Sequence, residues 1–219
     1  MNKQKLSSKA LEHQANKLQN KQSNKPSTQN FPASELDRIR VLGIDPGSRF
    51  TGFGVVDCFK DHFVAVDFGV LTLGKLSFAQ RLHTIYIDIQ AVLDEFKPQH
   101  CAIEQVFVAK NPMSALKLGH ARGAAMVAAT SRGLEPAEYS ALQIKKAVVG
   151  QGRADKQQVQ TMVTRLLNLD ETPPSDAADA LAVCLCHGQS IRTAQHMTPV
   201  EDGQHNRIPV GARFRHKRY

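Results

Sequence analysis

Residues 41–56 read VLGIDPGSRFTGFGVV, two runs of β-branched, aromatic and glycine residues on either side of an Asp-Pro-Gly-Ser sequence. Runs of this composition predict two buried strands, because branched and aromatic side chains favour strands and Pro-Gly interrupts them. A residue that precedes proline takes extended backbone, so Asp45 is predicted to be the last residue of the first strand. The chain therefore places a carboxylate at the end of a buried strand, where a charge needs a compensating partner.

The rest of the hydrophobic pattern predicts a sheet covered by helices. Apolar alternation predicts strands, and apolar residues three or four apart predict helices. In chain order the predicted elements are strands 40–45, 51–59 and 63–73, helix 77–96, strand 101–106, helix 112–132, strand 136–139, and helices 141–149, 155–167 and 173 to about 186. The fold class is therefore α/β, with a mixed five-stranded sheet of three antiparallel strands followed by two parallel ones, flanked by helices.

Composition divides the chain into three parts. Residues 1–37 are rich in Lys, Gln, Asn and Ser and are predicted to be a disordered basic N-terminal extension. Residues 38–189 are predicted to form one folded domain, and residues 190–219 a flexible basic C-terminal tail. No apolar run is long enough to span a membrane, and the N-terminus lacks the apolar segment of a secretory signal, so a cytoplasmic protein is expected.

The net charge of +8 is unevenly distributed. Both ends are basic, and within the middle of the chain residues 107–165 carry nine Lys or Arg but only three acids. Such segregation suits a polyanionic partner, although an ordinary solvated helix surface explains it equally well. The four cysteines lie in apolar sequence, which predicts buried free thiols in a reducing compartment rather than a zinc site.

Three further acids lie in sequence that is predicted to be buried. Glu104 comes late in the strand CAIEQVF, and Asp176 and Asp179 are three apart in PPSDAADALAVCLC, so they share one helix face. Taken one at a time, these acids have ordinary structural explanations: an acid in a turn, at a solvent-exposed strand edge or at the start of a helix. Together they would repel one another by about 4 kcal/mol per pair at about 4 Å unless cations lay between them. Carboxylates select Mg²⁺ or Mn²⁺, and two such ions side by side promote phosphoryl transfer.

Four segments, in order, resemble the RuvC family of bacterial Holliday-junction resolvases. They are GIDPGSRFTGFGVV, AIEQVFVAKNPMSALKLGHARG, VVGQGRADKQQVQ and DAADALAV, and the resemblance extends over about residues 41–187. It implies an RNase H-like fold and a homodimeric endonuclease that cuts two strands of four-way junction DNA symmetrically, leaving 5′-phosphate and 3′-hydroxyl ends. It also implies a role in DNA recombination and repair, alongside the branch-migration complex of RuvA and RuvB.

The resemblance assigns roles to individual residues. Four carboxylates would hold two Mg²⁺ ions, or Mn²⁺ in their place, in each active site: Asp45, Glu104, Asp176 and Asp179. Two basic residues near the scissile phosphate would complete the catalytic set, Lys145 and Lys156. Metal-assisted hydrolysis of this kind needs no nucleophilic side chain.

The same resemblance implies that Phe107 stacks on a junction base, an interaction open to any exposed aromatic ring. Basic residues would contact phosphates, and they are Lys110, Lys117, Arg122, Lys145, Lys146 and Lys156. Lys156 lies in the first turn of a predicted helix, where it opposes the helix dipole, so a nearby anion would explain its position. Core packing for Phe107 and simple solvation for Lys156 remain the alternatives.

Two departures from the family leave questions open. Some members carry His where this chain has Asp176, and about 38 residues precede the matched region where most members have only a few. A misassigned start methionine or a basic DNA tether would each explain this extension. The Ala- and Gly-rich helix 114–129 is a candidate dimer surface, but it could equally be buried within the monomer. The sequence preference of cleavage is not predicted.

Two other functions are compatible with parts of the sequence. GIDPGSRFTG also resembles the phosphate-binding hairpin of the actin-like ATPase family, which includes sugar kinases, but that family needs two such domains and this chain has length for one. A junction-binding protein without nuclease activity would need the basic segment alone, and the complete set of four acids argues against it.

Overall fold

Five strands form one mixed sheet. They are β1 (Ile39–Asp45), β2 (Phe50–Cys58), β3 (Phe63–Thr72), β4 (His100–Glu104) and β5 (Ala137–Tyr139). Their order across the sheet is β3-β2-β1-β4-β5, with antiparallel pairing among the first three strands and parallel pairing of β1 with β4 and of β4 with β5. The sheet confirms the predicted fold class. The computed structural model describes residues 38–106 and 112–197, so the N-terminal extension, Phe107, Lys110 and the tail beyond residue 197 lie outside the described residues.

Five helices flank this sheet. They are α1 (Phe78–Phe96), α2 (Pro112–Thr130), α3 (Ala141–Val149), α4 (Lys156–Leu166) and α5 (Ser175–Met197). Three of them begin at a capping box in which the first residue and a glutamine three positions later exchange hydrogen bonds, at Ser77, Ser140 and Asp155. Apart from the end of α5, every predicted helix or strand occurs with its ends within about two residues of the prediction, the usual uncertainty of such boundaries.

The last helix is longer than the sequence predicts. Its pattern predicts an end near Cys186, but α5 continues to Met197 and so passes residue 190. A tertiary contact holds its polar end: the Arg192 guanidinium donates hydrogen bonds to the carbonyls of Phe59 and His62 and lies 3.9 Å from the centre of the Phe63 ring. Hydrophobic periodicity could not reveal this anchor, because a single long cationic side chain makes it.

The sheet is buried on both faces, as expected for strands with helices on either side. Val41 and Val56 pack beneath α3, α4 and α5, whereas Leu42 and Ile44 face α1 and α2. All four residues of this central pair of strands are fully buried. The alternation of faces along β1 leaves Asp45, at the end of that strand, beside the helical layer that contains α5.

Helix α5 packs unusually close to β1 and β2 at positions occupied by glycine. A Cβ atom at Gly43 would lie 2.3 Å from the carbonyl oxygen of Ala180, and one at Gly52 would lie 1.8 Å from that of Asp176. Real Cβ atoms do not approach so closely, so only glycine permits this separation of helix and strands. Gly52 is also the residue that pairs with Asp45 across β1 and β2. The close packing therefore brings the acidic start of α5 beside the end of β1.

The four cysteines are free and buried, as predicted. Burial raises the pKa of Cys58 and Cys101 to about 12, so both thiols stay protonated at neutral pH. Among the helices in the described part of the chain, none is long and apolar enough to cross a membrane.

Candidate active site

Three elements bring the four predicted acids to one edge of the sheet. Parallel pairing places Ile44 beside Ile103, so the next residues along β1 and β4, Asp45 and Glu104, end their strands side by side. Asp176 and Asp179 lie in the first two turns of α5. Because the carboxyl ends of parallel strands meet at one edge, and α5 begins there, residues far apart in sequence share one site.

Electrostatics show that these acids act on one another. Burial, and then the charge of Glu104, raises the pKa of Asp45 to about 8 from an ordinary value of 3.8. The charges of Asp179 and Asp176 act in the same direction, and that of Lys156 opposes them. Burial and the charge of Asp179 also raise the pKa of Glu104. The site therefore concentrates more negative charge than its surroundings neutralise.

Two lysines offset part of this charge. Lys156 lies at the start of α4, directly after the Asp155 cap, and its Nζ is 2.8 Å from Oδ2 of Asp179. Partial burial opposes the charge of Lys156, but the hydrogen bond and charge of Asp179 outweigh it, so the pKa of this lysine is raised. Lys145 of α3 is half-buried, and its charge lowers the pKa of Glu104. The structure thus places both lysines close enough to the acids to act on their charge.

The acids fit a divalent cation by their chemistry. Carboxylate oxygens are hard ligands of the kind that Mg²⁺ and Mn²⁺ prefer. Burial and the charges of the neighbouring acids raise the pKa of Asp45, and a bound cation would favour its ionised form instead. Within residues 38–106 and 112–197, however, no three His, Cys, Asp or Glu side chains are placed to enclose one ion as they stand. The fit therefore rests on the chemical type and the charge of the donor groups.

The remaining predicted DNA contacts have different surroundings. Lys117 on α2 and Lys146 on α3 are exposed. Arg122 is half-buried and pairs with Glu138 of β5, with 2.5 Å between Nη2 and Oε2. That pairing leaves Arg122 less available to a phosphate than the sequence suggests.

Two side chains that the sequence pattern does not single out hold the turn after Asp45. Thr51 is fully buried, and its hydroxyl is bonded to the backbone of Gly47. Arg81 donates to three backbone carbonyls, one of them in the same turn. The available signals were weak: a threonine at the start of a strand, and an arginine in the first turn of a helix.

A second polar cluster lies away from the acids. The Tyr139 hydroxyl is 2.8 Å from Nδ1 of His187, and Nε2 of His187 is 3.1 Å from Nδ1 of His100. Burial and the neighbouring His100 lower the pKa of His187 to about 4, so this histidine is neutral. Both of its ring nitrogens are therefore engaged by neighbouring side chains.

The mixed sheet, its flanking helices and an acidic edge define an RNase H-like protein. The chain belongs to the RuvC family, because the family model described as crossover junction endodeoxyribonuclease RuvC matches residues 41–187. The resemblance in the sequence is thereby confirmed, and the ATPase and binding-only interpretations are not favoured.

Individual relatives agree with this assignment. The chain is 54% identical over 153 residues to the crossover junction endodeoxyribonuclease RuvC of Geobacter sulfurreducens, covering 69% of this chain and 93% of the relative. It is 56% identical over 157 residues to that of Colwellia psychrerythraea, covering 70% and 89%. The Thermus thermophilus RuvC structure in complex with Holliday junction substrate matches with a TM-score of 0.67 and 35% identity, covering 71% of this chain and 96% of that one.

Proposed function

We propose that this protein is a metal-dependent endonuclease that resolves four-way DNA junctions. The observation that carries the proposal is the meeting of Asp45, Glu104, Asp176 and Asp179 at one edge of the sheet, within the segment that matches the RuvC family. Relatives named crossover junction endodeoxyribonuclease cover most of the domain. The substrate class follows from that name and from the Thermus thermophilus relative, whose structure is in complex with Holliday junction substrate.

The catalytic proposal assigns each group a task. The four carboxylates would hold two Mg²⁺ ions, or Mn²⁺ in their place, and such a pair would supply an activated water and stabilise charge on the departing 3′-oxygen. Lys156 and Lys145 would offset the negative charge of the acids and then contact the scissile phosphate. The products would carry 5′-phosphate and 3′-hydroxyl ends.

Symmetric cutting of a junction requires two active sites, and we infer a homodimer with two-fold symmetry. In α2 the small residues Ala121 and Ala125 are buried against the rest of the subunit, whereas Leu116 and Val127 are exposed. The alanine face of helix 114–129 is therefore already covered within the subunit. A second copy of the chain would pack against the exposed apolar residues instead.

The wider setting is proposed with the activity. Junction phosphates would contact Lys110, Lys117, Lys146 and, if it leaves Glu138, Arg122, while Phe107 would stack on a base. The reaction belongs to DNA recombination and repair in the cytoplasm, where RuvA and RuvB would supply branch-migrated junctions.

A cleavage assay tests the proposed function directly. A synthetic four-way junction should be converted to two nicked duplexes in Mg²⁺, while EDTA abolishes cutting and a linear duplex of the same sequence is left intact. Asp45→Asn should still bind the junction but cut it at least about 100-fold more slowly, because an amide is a poorer ligand than a carboxylate. Junction binding by the wild type without any cutting in Mg²⁺ or Mn²⁺ would contradict the proposal.

A further inference from the structure

The turn between β1 and β2, residues 46–49, directly follows Asp45, the last residue of β1. Thr51 is fully buried just after this turn, and its hydroxyl donates a hydrogen bond to the carbonyl oxygen of Gly47 at 2.8 Å. The same hydroxyl oxygen accepts a hydrogen bond from the N–H of Gly47 at 3.3 Å. One side chain thus holds both backbone polar groups of Gly47, which valine, of nearly the same shape, could not do.

Arg81, in the first turn of α1, holds the turn from the other side. Its Nη1 donates to the carbonyl of Ser48 at 3.2 Å, while Nε and Nη2 donate to the carbonyls of Leu76 at 2.9 Å and Gly74 at 3.0 Å. A planar guanidinium with fixed donor directions can satisfy three carbonyls at once, and a lysine cannot reproduce that geometry. Arg81 therefore ties the turn after Asp45 to the loop between β3 and α1.

A backbone hydrogen bond closes the same connection. The N–H of Leu73 donates to the carbonyl of Arg49 at 2.8 Å. Together with Thr51 and Arg81, it fixes the turn at consecutive residues, Gly47, Ser48 and Arg49.

Asp45 has a particular need for such restraint. It ends β1 beside the end of β4, where Glu104 lies, and its partner Gly52 packs against the start of α5, so its carboxylate shares one edge of the sheet with the other three acids. On one side its backbone is held by pairing with Gly52, and on the other it runs directly into the turn. A catalytic group displaced by about 1 Å can lose roughly 100-fold in rate.

We propose that Thr51 and Arg81 are positioning residues for Asp45, holding the turn after β1 so that its carboxylate stays directed at the other three acids. The inference rests on the proposed nuclease function and adds two residues to it. Neither residue contacts the scissile phosphate in this role, because both act through the backbone of residues 47 and 48.

Substitutions at Thr51 separate positioning from packing. Thr51→Val keeps the shape and loses both hydrogen bonds, whereas Thr51→Ser keeps the hydroxyl. We expect Thr51→Val to cut bound four-way junction about 10- to 100-fold more slowly in single turnover, while its dissociation constant for the junction in EDTA stays within about twofold of wild type. Thr51→Ser should keep the rate within about threefold, since its hydroxyl can make the same bonds.

Chemical rescue tests Arg81 independently. Arg81→Ala removes the three donors, and free guanidinium ion at millimolar concentration should restore part of the lost cutting rate by binding the same carbonyls. Arg132→Ala is the matched control, because Arg132 pairs with the exposed Asp94 away from the acids, and its rate should neither fall nor respond to guanidinium. Thermal unfolding of every variant confirms that the assays are made on folded protein.

The outcomes are distinguishable. Slow cutting by Thr51→Val with normal binding, together with normal cutting by Thr51→Ser, supports the inference. Cutting by Thr51→Val at the wild-type rate overturns it, even if that variant melts at a lower temperature, because that result shows a purely structural role. Absence of cutting by the wild type would instead remove the proposed function on which the inference depends.

Discussion

The ammonium nitrogen of Lys156 lies 2.8 Å from Oδ2 of Asp179, so a cation of the protein itself already engages one of the four acids. The lysine is more than half exposed, whereas the aspartate is mostly buried. An exposed ion pair of this kind is worth little, about 0–1 kcal/mol, so the lysine can leave the acid easily. In the proposed metal site, Lys156 and a divalent cation would therefore compete for the same oxygen.

Replacing Lys156 with glutamine should change metal binding and cutting in opposite directions. Without the competing cation, the Mg²⁺ concentration for half-maximal cutting should fall by about two- to fivefold, in keeping with a weak ion pair. The rate at saturating Mg²⁺ should fall by about 10- to 100-fold, because one positive group near the phosphate is lost. Single-turnover cutting measured across Mg²⁺ concentrations gives both values.

Lys117→Gln is the control for that experiment, since Lys117 is an exposed lysine of α2. It should weaken junction binding and leave the Mg²⁺ requirement unchanged. A higher Mg²⁺ requirement in Lys156→Gln would show that the lysine assists metal binding rather than competing with it.

Asp45 should make the metal-free protein less stable as the pH rises. Its pKa is about 8 in the folded protein against an ordinary value of 3.8, so between those values the folded state holds a proton that the unfolded state has released. The contribution of Asp45 to stability is thus most favourable below about pH 4. It becomes steadily less favourable as the pH rises towards about 8. In EDTA, Asp45→Asn should exceed wild type in free energy of unfolding by roughly 1–3 kcal/mol at about pH 8, and by less at lower pH.

Urea denaturation at several pH values measures this difference. Added Mg²⁺ should stabilise the wild type more than Asp45→Asn at the higher pH, because a bound cation offsets the repulsion and amide oxygen binds it less well. Equal pH dependence of the two proteins in EDTA would show that Asp45 does not carry the raised pKa.

Gly52 should be intolerant of even a methyl group. Alanine there would place its Cβ 1.8 Å from the carbonyl oxygen of Asp176, so α5 would have to move away from the sheet. We expect Gly52→Ala to destabilise the protein by about 1–3 kcal/mol or more and to reduce cutting, since Asp176 and Asp179 move with the helix. Gly119→Ala, at an α2 position with nothing within 4 Å of the added Cβ, should instead be neutral or stabilising by up to about 1 kcal/mol. Thermal unfolding and junction cutting measured on both variants test this contrast.

The sequence predicts the strands and helices well because each has its own local signal. A run of β-branched, aromatic and glycine residues marks β2, alternating residues mark β3, and apolar residues at helical spacing mark α1. The grouping of the four acids follows from their places at the ends of predicted elements, since strand ends and a helix start can meet at one edge. Thr51 and Arg81 escaped prediction because their hydrogen bonds reach backbone groups in other elements, and such bonds leave no periodic pattern.

The end of α5 provides the last prediction. Arg192 donates to the carbonyls of Phe59 and His62 and covers the Phe63 ring, so the polar end of the helix is anchored to the connection between β2 and β3. Arg192→Ala should lower the free energy of unfolding by about 1–3 kcal/mol, because charged hydrogen bonds and a cation–π contact are lost together. A chain ending at residue 189 should be destabilised at least as much, whereas one ending at residue 197 should keep the stability of the full chain. Urea denaturation compares all three with wild type, and equal stability of the two truncated chains would show that the Arg192 anchor contributes nothing.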